Sequence, residues 1–120
     1  MAEDILKSYA IFLDSVKRNL PKVELELVQD SAYYSYFGAS PIPKTRVLIT
    51  YDNKVDLEKK AKGLLELSGE VEITMATKTI KILGIDMPLD LELLVKIAND
   101  KDIIAIDKSR ELEVLEKSLI

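Results

Sequence analysis

The fold of this chain is decided first by the run Val47-Leu48-Ile49-Thr50-Tyr51-Asp52, which is apolar until it ends in an aspartate. Valine, isoleucine, threonine and tyrosine favour strands. The residues after Asp52 have helical spacing, so the run predicts a strand that leads into a helix. Two further apolar runs end in the same way, at Asp86 and at Asp107. Repeated junctions of this kind indicate an α/β or mixed α+β fold.

Hydrophobic periodicity along the rest of the chain predicts four helices and about six strands in one mixed sheet. An amphipathic helix is expected over residues 3–20, ended by Pro21, and others over residues 56–67 and from Ser109 to the end. A further helix is expected after a cap at Asp86 or Asp90, with Pro88 tolerated in its first turn. Strands are predicted at residues 23–27, 32–37, 46–51, 71–75, 80–86 and 102–106. The strand at residues 46–51 is apolar enough to be central, and the switch in apolar parity around residues 76–78 predicts that the strands on either side form a hairpin. The expected order is therefore α-β-β-β-α-β-β-α-β-α within a single domain, residues 1–120.

Composition narrows the classes of function. The 120 residues are 48% hydrophobic and 32% charged, as in soluble globular proteins, and neither a leader nor a membrane-spanning run is evident, so a cytoplasmic location is expected. The sequence has no Cys, His or Trp, which excludes disulfides, thiolate zinc sites and histidine-based triads. Abundant Lys and Glu beside a single Gln is typical of thermophile proteins. Nucleic-acid binding is disfavoured by the net charge of −4.

Three strand-end aspartates, Asp52, Asp86 and Asp107, are candidate metal ligands. If their strands lie parallel and adjacent, the carboxylates meet at the sheet edge where such folds usually bind ligands. Oxygen ligands of this kind suit Mg²⁺ or Mn²⁺, which could then activate water in a phosphoester hydrolase. The alternative is that each aspartate caps the following helix or lies in a solvated turn. No other cofactor is expected.

The second candidate site is an aromatic and proline-rich segment. Four of the seven aromatic residues lie within residues 33–37. Exposed aromatic side chains are typical anchors of protein interfaces, and the candidate interface residues are Tyr33, Tyr34, Tyr36, Phe37 and Ile42. The alternative is that these aromatics pack on the first helix, within the core.

Three functions remain open from the sequence. The leading hypothesis is a non-enzymatic interaction or assembly module that self-associates, as a possible homodimer, or binds a protein partner, because no catalytic constellation is recognisable. A metal-dependent phosphoester hydrolase is the first alternative. The second is binding of single-stranded nucleic acid or a nucleotide, with Tyr36 stacking on bases and Lys44 and Arg46 meeting phosphates.

Overall fold

The computed structural model describes residues 1–38 and 40–109. These residues form four helices and four strands in the order α-α-β-α-β-β-α-β. The elements are α1 (Ala2–Asn19), α2 (Leu25–Phe37), β1 (Lys44–Tyr51), α3 (Leu57–Leu67), β2 (Glu72–Thr77), β3 (Ile82–Pro88), α4 (Leu91–Ala98) and β4 (Ile103–Lys108). The mixed α+β prediction is thus confirmed for the described residues, whereas the predicted count of about six strands is wrong.

The four strands form one sheet in the order β2-β3-β1-β4, and every neighbouring pair is antiparallel. Strand β1 is central, as its apolar sequence predicted. Its alternate residues Val47, Ile49 and Tyr51 are buried on one face. Helices α2, α3 and α4 contribute to the same hydrophobic core as these residues. On the opposite face, Leu48 and Thr50 are only half-buried.

The two strands predicted before residue 40 are wrong, because residues 25–37 form α2. Alternation across residues 23–27 is too short to separate a strand from the start of a helix. The buried residues of α2 are Leu27, Val28 and Ser31, whose spacing places them on one helical face. Gly38, in the left-handed conformation at φ +61°, ends the helix. Of the predicted first strand, only Val23 makes a β-bridge, to Ile106.

The later elements follow the predicted pattern more closely. The predicted hairpin is confirmed by the antiparallel pairing of β2 with β3. Asp90 caps α4 by accepting a hydrogen bond from the Glu92 amide at 3.0 Å. Pro88 closes β3 rather than opening the helix, which corrects its predicted place. Residues 110–120, which contain most of the predicted last helix, lie outside the described residues.

Helix α1 stands largely apart from the core. The structure describes every residue of α1, and none of these residues is buried by the rest of the described chain. Phe12 and Val16, in its second half, are partly buried and pack against the core. Residues 2–11 are all exposed. None of the helices within residues 1–38 and 40–109 combines the length and the apolar content needed to cross a bilayer.

Candidate functional site

The three predicted metal ligands are not brought together. Asp86 pairs across the sheet with Arg46 and Asp107 pairs with Leu48, the third and fifth residues of β1, whereas Asp52 follows the last residue of that strand. Leu48 and Asp52 are four residues apart, roughly 13 Å along a strand. One cation with ligand distances of about 2.0–2.6 Å cannot span that separation. Parallel neighbouring strands, the condition on which the shared site depended, are absent from the sheet within the described residues, because every neighbouring pair is antiparallel.

Each of these aspartates has its own local surroundings. Asp52 lies in a turn and accepts a hydrogen bond from the Lys54 amide at 3.0 Å, which matches the predicted turn role. Asp86 accepts a charge-assisted hydrogen bond from Arg46 Nε at 3.1 Å. Asp107 is exposed on β4. Within residues 1–38 and 40–109, no group of three or more His, Cys, Asp or Glu side chains is placed to hold one ion.

The aromatic segment lies on α2 and divides between the core and the surface. Tyr34 is partly buried against the core, as is Ile42 in the loop beyond the helix. By contrast, Tyr33, Tyr36 and Phe37 are 58%, 84% and 65% exposed. These three residues share one helical face, and their rings contact each other, with centroids 4.8 Å apart for Tyr33–Phe37 and 5.1 Å apart for Tyr36–Phe37. Three of the five predicted interface residues therefore present aromatic area to solvent.

A second group of exposed apolar side chains lies on the first half of α1. Ile5, Leu6 and Tyr9 are 66%, 67% and 47% exposed. The Tyr9 hydroxyl accepts a long hydrogen bond of 3.4 Å from the Gln29 amide of α2, which links the two helices. We call the two exposed groups together the apolar helix surface, formed by Ile5, Leu6, Tyr9, Tyr33, Tyr36 and Phe37. Sequence periodicity predicted an apolar stripe on α1 but not that half of this stripe would extend beyond the core.

The residues considered for nucleic-acid binding have different surroundings. Tyr36 is the most exposed aromatic residue of α2. Lys44 is exposed at the first position of β1. The guanidinium of Arg46 is held by Asp86, and its side chain is 37% exposed. Because Asp86 already offsets the charge of Arg46, that side chain is a weaker phosphate ligand than the sequence suggested.

A cleft of about 670 Å³, lined by both apolar and charged residues, lies beside the end of β1 and includes residues of α3 and of the turn before β4. Lys60 of α3 donates hydrogen bonds to Asp100 and to Asp102, each at 2.8 Å. Tyr51 lines the same cleft, and Lys60 Nζ lies 5.8 Å from the centre of its ring. This cluster joins residues about forty positions apart, so no local sequence pattern could have indicated it.

The electrostatics of the cleft favour a fixed protonation state at neutral pH. The hydrogen bonds to Asp100 and then Asp102 raise the pKa of Lys60, while the hydrogen bond from Lys60 lowers the pKa of Asp102. Burial is the main cause that raises the pKa of Tyr51 to about 12. Lys60 thus stays charged and Tyr51 stays protonated near neutrality. The cluster is suited to holding α3 against the turn before β4, and these two residues are poorly suited to proton transfer at neutral pH.

Comparison of the chain with protein-family models, with curated proteins and with solved structures found no match.

Proposed function

We propose that this protein is a non-enzymatic interaction module that self-associates through the apolar helix surface. Helix α1 carries the proposal: it has 18 residues, yet none of them is buried within the described chain. Most helical stability in proteins comes from tertiary packing of the apolar face rather than from helix propensity. A second copy of the chain supplies that packing.

The aromatic side chains of α2 support the same proposal. Tyrosine is enriched among residues that dominate binding energy, and aromatic residues in general are enriched at interfaces. Tyr33, Tyr36 and Phe37 expose more than half of their surface on one face of the helix. Large contiguous patches of exposed apolar surface are rare on monomeric proteins and mark interaction sites.

The test is the dependence of mass on concentration, measured by sedimentation velocity. We expect the unmodified chain to move reversibly from one copy to two as concentration rises. The double variant Leu6→Ser/Tyr36→Ser should remain a monomer with an unchanged far-ultraviolet circular dichroism spectrum, because both side chains are exposed in the single chain. The matched control is Val95→Ser/Ile104→Ser, on α4 and β4, where residues 38% and 58% exposed lie outside the apolar helix surface.

Either of two outcomes would contradict the proposal. The first is a chain that remains monomeric at every concentration. The second is equal weakening of association by the double variant and by its control. A monomer would mean that the chain covers its own apolar helix surface or leaves that surface open to a different protein.

The two other functions receive less support. A shared metal site would require carboxylates that the antiparallel sheet separates. Single-stranded nucleic-acid binding would depend on Arg46, which is paired with Asp86, in a chain with a net charge of −4. Salt-sensitive binding that is lost in Tyr36→Ala/Arg46→Ala would place nucleic-acid binding ahead of self-association.

A further inference from the structure

Helix α1 carries a second row of residues beside the face that touches its own core. Phe12 and Val16 define the core-facing side. The neighbouring row has steps of three and four residues, the spacing of a coiled-coil seam. We call it the α1 seam, and its members are Glu3, Leu6, Ala10, Leu13 and Lys17. Four of them are exposed and Leu13 is half-buried, so the seam is accessible within the described chain.

The α1 seam is complementary to itself when one copy is reversed. Glu3 and Lys17 lie seven residues on either side of Ala10. An antiparallel pair centred on Ala10 therefore brings Glu3 beside the partner's Lys17 at both ends. Leu6 then lies next to the partner's Leu13. A parallel pair would instead place like charges together at each end, which disfavours association.

The small residue at the centre fits this arrangement. Helix axes approach to about 8–10 Å, depending on the side chains at the contact. Ala10 adds a single methyl group and so permits the closer part of that range. At each end, the antiparallel order also places Glu3, in the first turn, near Lys17 in the last turn of the partner.

A groove lies at the C-terminal end of α1. It has a volume of about 320 Å³, and its lining includes Leu13, Val16, Leu20 and Leu25. In a pair centred on Ala10, the first two turns of the partner helix lie over this groove. Those turns carry Ile5 and Leu6, which are 66% and 67% exposed in the single chain.

From these observations we propose that two copies of the chain associate through antiparallel α1 helices, with Ala10 at the two-fold axis and the first turns of each helix seated on the groove of the other. This arrangement rests on the proposed self-association and specifies the geometry of its α1 contact. Two copies related by such an axis bury the same surface on both sides, as in most homodimers.

Disulfide trapping tests the geometry, because the sequence has no cysteine and any introduced thiol is unique. Ala10→Cys should cross-link two copies rapidly under mild oxidation. The control, Ser8→Cys, lies on the opposite side of α1 and should not. Glu3→Cys mixed with Lys17→Cys should give the mixed disulfide, whereas Glu3→Cys alone should not pair. In the antiparallel arrangement its two copies are roughly 21 Å apart along the helix, far beyond the ~4.4–6.8 Å that a disulfide spans.

Charge exchange provides a measurement without cross-linking. Glu3→Lys or Lys17→Glu alone should weaken self-association about tenfold, because each creates two like-charge contacts. An equimolar mixture of the two variants should restore association to near that of the unmodified chain. Parallel helices predict no loss in either single variant.

The outcomes separate this geometry from self-association itself. Sedimentation of the same samples reports whether copies associate at all. Association without cross-linking of Ala10→Cys, rapid cross-linking of Glu3→Cys alone, or equal cross-linking of Ser8→Cys would overturn the antiparallel arrangement while leaving self-association standing. A monomeric chain would overturn both.

Discussion

Gly84 is a residue for which the sheet leaves no room for a larger side chain. A Cβ atom added there would lie 2.9 Å from Thr74 Oγ1 and 3.1 Å from Met75 Cβ, both on β2. The pairing of β2 with β3 shifts at this point, which brings the neighbouring strand close. We therefore expect Gly84→Ala to lower the free energy of unfolding by about 1–3 kcal/mol in urea denaturation.

Gly63 in α3 provides the matched control for that substitution. No described heavy atom outside the helix's own neighbourhood lies within 4 Å of a Cβ added there. Alanine is favoured over glycine in a helix interior by about 1 kcal/mol, so Gly63→Ala should stabilise the protein. Equal effects of the two glycine substitutions would show that crowding at Gly84 is not the cause.

At Ser31, in contrast to Gly84, replacement by alanine should be stabilising. The Ser31 hydroxyl is fully buried on α2 and has no hydrogen-bond partner among the described residues. A buried polar group without a partner destabilises the folded state, and alanine is also the better helix former. Ser31→Ala should therefore raise the free energy of unfolding by about 1 kcal/mol. Four residues later, Ser35 Oγ accepts a hydrogen bond from the Leu91 amide at 3.0 Å, so Ser35→Ala should be destabilising. Stabilisation by both substitutions would contradict this assignment.

At the scale of secondary-structure elements, sequence patterns predicted some features well and others poorly, for physical reasons. Strand β1 was predicted because its residues combine strand propensity with apolar character. Helix α4 was predicted from a cap at Asp86 or Asp90 and from its core face, and the structure has the cap at Asp90. Helix α2 was missed because tyrosine and phenylalanine favour strands in isolation, whereas the burial of Leu27 and Val28 by tertiary packing selects the helix. The exposure of half of the apolar stripe of α1 could not be predicted, because hydrophobic periodicity does not reveal which surface covers a helix face.

The connection between α3 and the turn before β4 depends on Lys60. Its ammonium group donates to both Asp100 and Asp102, and its side chain is only 24% exposed. Replacement by methionine retains most of the apolar stem but removes the charge. We expect Lys60→Met to lower the free energy of unfolding by about 1 kcal/mol, whereas Lys59→Met, at an exposed position of the same helix, should be nearly neutral.

The contribution of Lys60 should depend on pH at both extremes. The pKa of Asp102 is lowered in the folded state. Its contribution to the free energy of unfolding is therefore present above the ordinary aspartate pKa of about 3.9 and is lost as the pH falls through the folded-state value. The pKa of Lys60 is raised in the folded state, so the contribution of Lys60 to the free energy of unfolding is lost only as the pH rises above the ordinary lysine range. The stability difference between the unmodified chain and Lys60→Met should therefore be constant near neutrality and shrink in strong acid. A difference that persists below the pKa of Asp102 would contradict the ion-pair explanation.

At the scale of the whole molecule, strand direction decided which sequence-predicted sites could form. The aspartates at the ends of three apolar runs would converge only in a parallel sheet, and antiparallel pairing separates Asp52 from the other two. Strand direction depends on long-range pairing, which short apolar runs do not encode. The aromatic segment was visible in the sequence, because four of the seven aromatic residues lie within residues 33–37. Which of them are exposed depends on the helix that the sequence did not predict.

The central claim also concerns the whole molecule: a second copy of the chain covers the exposed apolar faces of α1 and α2. Sedimentation velocity of the unmodified protein over a wide concentration range tests this claim most directly. We expect a reversible shift to twice the mass of one chain, abolished by Leu6→Ser/Tyr36→Ser and retained in Val95→Ser/Ile104→Ser. A single species with the mass of one chain at all concentrations would contradict the claim.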